Sequence, residues 1–158
     1  MLASSSLMDL HQSLVISQPF RTLFCVHFFK LFRNIFYWWF ESRNSAKDDP
    51  LVIWLTGGPG CASEIALFYE NGPYHFNKDG KTLMSNKNSW NANANLLYVD
   101  QPIGTGFSKG RSRLDTNEDQ IGEDMAQFMI KFLEKYPQLQ GKDLYITGES
   151  YAGHYIPA

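Results

Sequence analysis

Cysteine, unbalanced charge and long apolar runs are all scarce in this chain. Two cysteines in 158 residues, Cys25 and Cys61, exclude a disulfide scaffold and leave open one bridge, two free thiols or partners elsewhere. Charged residues make up 19% and nearly cancel to a net −2, so no basic field invites nucleic acid. No Asn-x-Ser/Thr sequon occurs, which removes one local sign of secretion. The densest aromatic stretch, Phe20 to Phe40, is interrupted by Arg21, His27, Lys30 and Arg33. A membrane span needs about 20 consecutive apolar residues, so none is expected. A signal peptide also fits badly: Asp9 and His11 stand where a basic region belongs, and no small-residue cleavage site follows an apolar stretch. Residues 1–47 carry five Lys/Arg against two acids, read as a poorly anchored N-terminus rather than a membrane-surface patch. The histidines His11, His27 and His75 are isolated, so no metal site is expected.

What is present suits one globular α/β core: 44% hydrophobic residues, 15% aromatics, and a length too short for two ordinary domains. Phe36–Phe40 is dense in strand formers and ends in a polar turn. Leu51–Leu55, Leu96–Val99 and Leu144–Thr147 are apolar runs without alternation, the pattern of strands covered on both faces in a parallel sheet. Each is followed by a glycine-bearing turn. Between the last two lies the clearest helix, where Ile121, Met125, Phe128, Met129, Phe132, Leu133 and Tyr136 recur at spacings of three and four until Pro137. Thr116 and Asp119 have capping-box spacing at its start. Residues 74–95 read as loop and a short hairpin turning at Lys78-Asp79-Gly80-Lys81.

Two stretches carry chemistry. Thr147-Gly148-Glu149-Ser150-Tyr151-Ala152-Gly153 has the nucleophile-elbow form G-x-S-x-G with alanine at the last position. A serine held on a tight strand-to-helix turn projects its hydroxyl from the sheet edge, and only small flanking residues fit beside it. The alternative is a plain turn with a solvent-facing serine. The second stretch is Thr56-Gly57-Gly58-Pro59-Gly60-Cys61. Its glycines let backbone N–H groups approach a ligand closely, as stabilisation of an acyl-transfer oxyanion requires. Phosphate binding is the rival use. No Lys-Ser/Thr pair follows the glycines, Ser63 occupies the third glycine position of a dinucleotide fingerprint, and Asp100 is too distant for a ribose contact. No cofactor is expected.

From about Phe36 to Ala158 the chain resembles the N-terminal part of the serine carboxypeptidase-like family of plant type. The resemblance rests on Phe-Glu-Ser-Arg at 40–43, Leu51–Cys61, Phe68-Tyr69-Glu70-Asn71-Gly72-Pro73, Ser89-Trp90-Asn91, Asn95–Ser108 and Leu144–Ala158, in family order. It divides the chain into an atypical N-terminal segment, 1–35, and part of an α/β-hydrolase domain, 36–158. It implies an incomplete α/β-hydrolase fold, a mostly parallel sheet with the elbow near the C-terminus. The implied activity is removal of the C-terminal residue of a peptide that has a free terminal carboxylate. By motif position Ser150 would be the nucleophile, and Gly58 and Tyr151 the oxyanion-hole N–H donors. Thr56, Gly57, Glu70 and Glu149 would grip the substrate carboxylate. A vacuolar or secreted location is part of the same implication.

Departures from the family pattern qualify it. A triad of this fold runs Ser…Asp/Glu…His, and the sequence stops eight residues after Ser150. The expectation is therefore a fragment lacking the triad acid and histidine and inactive alone. His154, on the helix that the elbow opens, is read as structural. Thr56 stands where asparagine is common, and Cys61 would pair, by the resemblance, with a cysteine downstream. Two other functions share the pattern: acyl transfer to an alcohol on the same scaffold, and a truncated product without catalysis. Glu149 before the serine resembles the peptidase branch, since the acyltransferases often carry aspartate there.

Overall fold

The computed structural model describes residues 33–110 and 114–158 and, as backbone, two strands at 14–16 and 22–29. The strands are β1 (Leu14–Ile16), β2 (Thr22–Phe29), β3 (Arg33–Phe40), β4 (Leu51–Leu55), β5 (Tyr74–Phe76), β6 (Leu83–Ser85), β7 (Asn95–Val99), β8 (Lys109–Gly110) and β9 (Leu144–Gly148). The helices are α1 (Glu64–Tyr69), α2 (Glu118–Lys135) and α3 (Ala152–Tyr155). The main sheet has the order β1-β2-β3-β7-β4-β9, with β8 paired to β3. It is mixed. β1, β2, β3 and β7 run alternately antiparallel, whereas β7, β4 and β9 are parallel. β3 begins at Arg33 and crosses the division expected at 35/36.

The absence of alternation in β4 and β7 has the cause that the sequence suggests, because both faces of the sheet are covered. Tyr37, Trp39, Ile53, Leu97 and Val99 point into a core shared with α2. Their neighbours Phe40, Trp54, Leu96 and Tyr98 point into a second core shared with α1. β9 differs. Leu144, Tyr145 and Ile146 are 46%, 54% and 40% exposed; among the described residues β9 pairs with β4 alone.

The helical stripe packs as expected. Phe128 and Phe132 are fully buried, with ring centroids 5.4 and 5.3 Å from that of Tyr37. Burial of such rings contributes about 1.5–3 kcal/mol each. The cap lies one residue beyond the expected pair. Asn117 Oδ1 accepts from Gln120 N–H at 3.0 Å, and Gln120 Oε1 accepts from Thr116 N–H at 3.1 Å. Asparagine is as good an N-cap as threonine, and the chain enters at Asn117 in extended geometry. Pro137 opens a 3-10 turn where α2 ends. The expected hairpin is β5–β6, turned by Asp79, whose Oδ1 accepts from Lys81 and Thr82 N–H at 2.8 and 2.9 Å. Among the described residues no helix is long and apolar enough to cross a membrane.

Candidate active site

Because β7, β4 and β9 are parallel, the segments leaving their C-terminal ends gather at one edge of the sheet, where α/β folds bind ligands. The segment after β9 is the elbow. Ser150 is the one described non-glycine residue at positive φ, 54°. Such geometry costs free energy and persists where packing enforces it. The enforcing contacts are visible at the small flanking residues. A Cβ on Gly148 would lie 2.3 Å from Leu55 O and 2.6 Å from Ala152 Cβ. The alanine in the last motif position therefore already touches the space that the first glycine vacates. Ala152 N–H donates to Glu149 O at 2.9 Å and Gly153 N–H to Ser150 O at 3.1 Å, starting α3 directly after the serine.

The segment after β4 lies against this elbow. A Cβ on Gly57 would come within 2.5 Å of Tyr151 N, 2.8 Å of Glu149 O and 3.0 Å of Ser150 Cβ. The glycine is required because the loop backbone passes across the serine with no room for a side chain. Cys61 N–H closes the turn on Gly57 O at 3.1 Å, and Gly58 takes a φ of 117°. Thr56 is 4% exposed. Its hydroxyl accepts from the Trp54 indole at 3.1 Å and keeps its own proton to donate. Cys61 is a free, half-buried thiol.

Glu70, directly after α1, and Glu149, in the elbow, lie close enough to interact through their side chains. Glu70 ends α1, and its neighbour Asn71 fixes it from behind: Asn71 Oδ1 accepts from the Tyr98 hydroxyl at 2.7 Å, and Asn71 O accepts from Trp90 N–H at 3.0 Å. Burial raises the Glu70 carboxyl above the ordinary range, and the adjacent Glu149 raises it further. Tyr151 is oriented from outside the loop, its hydroxyl donating to Glu118 Oε1 at 2.8 Å. Ser150, Gly57, Tyr151, Glu149 and Glu70 thus converge. Thr56 is buried at the end of β4, and Gly58 continues the loop from Gly57.

Neither described histidine is presented as a base for Ser150. His75 Nδ1 sits 2.8 Å from Phe68 O. His154 is exposed, with its ring stacked 4.6 Å from that of Tyr151.

Sequence reasoning missed two features. Asp100, weighed only as a ribose contact and set aside as too distant, is 1% exposed directly after β7. Its oxygens accept from Ser63 N–H and Phe107 N–H, each at 2.9 Å. A Cβ on Gly106 would strike Asp100 Oδ2 at 2.0 Å. Glu64 packs beside it with both carboxyl oxygens shut off from water, which pushes its pKa up to about 8 through burial and then through Asp100. Tyr155 is the second, its phenol oxygen accepting from Gly60 N–H at 3.1 Å. The signal for Asp100 was an acid directly after a buried strand; Tyr155 left none.

The family model for serine carboxypeptidase matches residues 30–158. A serine carboxypeptidase-like protein of Oryza sativa subsp. japonica is 55% identical over 128 residues, 79% of this chain and 30% of the relative. Serine carboxypeptidase 3 of Hordeum vulgare is 52% identical over 127 residues, 79% of this chain and 25% of the relative. The solved structure of Kex1, a prohormone-processing carboxypeptidase from Saccharomyces cerevisiae, superimposes with a TM-score of 0.79 at 30% identity, over 87% of this chain and 32% of that one. The fold is that of the α/β-hydrolases. The chain spans about 30% of the length of the rice relative.

Proposed function

The chain belongs to the serine carboxypeptidase family, and from that premise we propose that the protein acts as a serine-type carboxypeptidase with Ser150 as its nucleophile. The observation that carries this reading is the enforced positive φ of Ser150, with the Gly57 loop pressed against Tyr151 N. In the proposed reaction Ser150 Oγ adds to the last peptide carbonyl. The N–H groups of Gly58 and Tyr151 receive the developing oxyanion; the C–N bond then breaks as the serine proton passes by way of the base to the departing amine of the C-terminal residue, and water hydrolyses the acyl-enzyme to free the serine. Thr56, Gly57, Glu70 and Glu149 hold the free terminal carboxylate, and Glu70, when protonated, donates to it. The reading assigns the base and its acid partner to segments of the longer relatives that this chain does not match, and it retains the vacuolar or secreted location. Glu149 favours peptidase over acyl transfer.

A fluorophosphonate reagent tests the nucleophile. In a protein that carries these residues together with the segments to which the base is assigned, covalent labelling at Ser150, abolished in Ser150→Ala, is the expected result; labelling of another residue, or none, overturns it. Release of a C-terminal amino acid, rather than ester formation with an alcohol acceptor, separates the two chemistries.

A further inference from the structure

An oxyanion hole works only if its donors are held still before the reaction begins. The two ends of the loop 56–63 are fixed by contacts to the sheet. The Ser63 hydroxyl accepts from Thr56 N–H at 3.3 Å and donates to Val99 O at 2.7 Å, and Ser63 N–H donates to Asp100 at 2.9 Å. The tip is held in another way. Gly60 N–H donates to the Tyr155 hydroxyl at 3.1 Å, across 95 positions of sequence. Tyr155 stands on α3, which starts directly after the elbow, and is 5% exposed; its ring meets that of Tyr151 edge to face at 5.1 Å. Gly58 rests on the same tip, since a Cβ there would lie 2.8 Å from both Gly60 N and Cys61 N. A displacement of Gly60 is therefore passed to Gly58 by direct backbone contact.

These contacts form a closed circuit. It runs from Ser150 through α3 to the Tyr155 phenol, across to Gly60, along the turn to Gly58, and back over the elbow where Gly57 abuts Tyr151. We propose that Tyr155 is a positioning residue whose hydroxyl sets the placement of the Gly58 N–H relative to Ser150 by holding the tip of the Gly57–Cys61 turn. The inference rests on the oxyanion role assigned above to Gly58 and Tyr151. Packing alone does not account for the phenol. Phenylalanine fills the same space, and a hydroxyl on so buried a side chain is costly without a partner. The partner it has is the backbone donor at the loop tip. Burial also raises the Tyr155 pKa, with Glu118 and Cys61 adding to the effect against the Gly60 contact, so the group stays a neutral hydrogen-bonding phenol.

The test is Tyr155→Phe in the whole chain, read in two ways. Glycine-selective amide NMR reports the link itself. Gly60 should exchange about three- to tenfold faster than in the parent, the range for one hydrogen bond. The Gly58 resonance should shift while the exposed Gly141 stays unchanged. Fluorophosphonate labelling, carried out in a protein that also contains the segments to which the base is assigned, reports the consequence. The rate at saturating reagent should fall about tenfold with the half-saturating concentration unmoved, a split that a general loss of packing would not produce. An unmoved Gly58 signal with labelling at the parental rate overturns the proposal. If the parental Ser150 takes no label, the catalytic reading fails on its own, and the Gly60 and Gly58 amides still decide the positioning link. If the variant does not fold, the parental Gly60 amide decides: exchange slower than at Gly141 upholds the link, and equal exchange overturns it.

Discussion

At the scale of single residues, the candidate site is packed around glycines that leave no room for a side chain, and one of its carboxyls, Glu70, is raised above the ordinary range. Gly57→Ala should abolish labelling of Ser150, because its methyl would have to occupy space 2.5 Å from Tyr151 N. Gly153→Ala, whose methyl meets nothing within 4 Å, should label as the parent does, and equal rates for both variants would refute the packing argument. Glu70 carries a second expectation. Its pKa is raised by burial and by Glu149, so it holds a proton at acid pH and loses it as pH rises. Once Glu70 is ionised it repels a substrate carboxylate. KM of an active relative carrying this pair should therefore climb toward neutral and alkaline pH. Replacement of both by glutamine should flatten the profile, and a KM independent of pH in the parent would sink the idea.

At the scale of elements, α2 is the piece whose energetics are most local. Its cap at Asn117 satisfies the Gln120 N–H, so Asn117→Ala should cost about 1 kcal/mol in denaturant unfolding. Phe132, fully buried against Tyr37 and Trp39, should cost about 3–5 kcal/mol when cut to alanine. A larger loss at the cap than at the ring would contradict the view that α2 is held by its buried stripe. β9 is the opposite case. Its apolar residues do not complete a core, since Leu144, Tyr145 and Ile146 remain exposed. Its register against β4 is nevertheless complete from Leu51↔Leu144 to Leu55↔Gly148, and that register delivers Ser150 beside Gly57.

At the scale of the whole molecule, buried acids link stability to pH. Glu64 is raised from 4.5 to about 8 and Asp124 from 3.8 to about 6, in each case by burial first and then by a neighbouring acid, Asp100 and Asp115 respectively. A raised carboxyl contributes stability that is fully present below its unfolded value and is lost as pH rises through its folded value. Asp49 and Asp79 are lowered by hydrogen bonds, from Ser42 and Thr82 respectively, so their contribution is lost in the opposite direction, below the ordinary aspartate range. Thermal unfolding should therefore show highest stability on the acid side, about pH 4–5, declining toward pH 8. Glu64→Gln should reduce that decline. A melting temperature that rises from pH 5 to pH 8 in the parent would rule out the assignment.

Sequence by itself determined what depends on neighbours along the chain. Periodicity marked the stripe of α2, unbroken apolar runs marked β4 and β7, and small residues around Ser150 marked the elbow, because sterics and solvent exclusion at these places act over a few residues. Which glutamates are candidates for the site was legible only through motif resemblance, since nothing local brings Glu70 to Glu149. Tertiary structure alone decided the rest. It set β9 beside β4, turned Asp100 into the post that holds Ser63 and Phe107, paired Glu64 with it, and set the Tyr155 hydroxyl on Gly60. These outcomes depend on strand order, and in a sheet where β4 lies between β7 and β9, residues nearly a hundred positions apart become hydrogen-bond partners that no short-range pattern encodes.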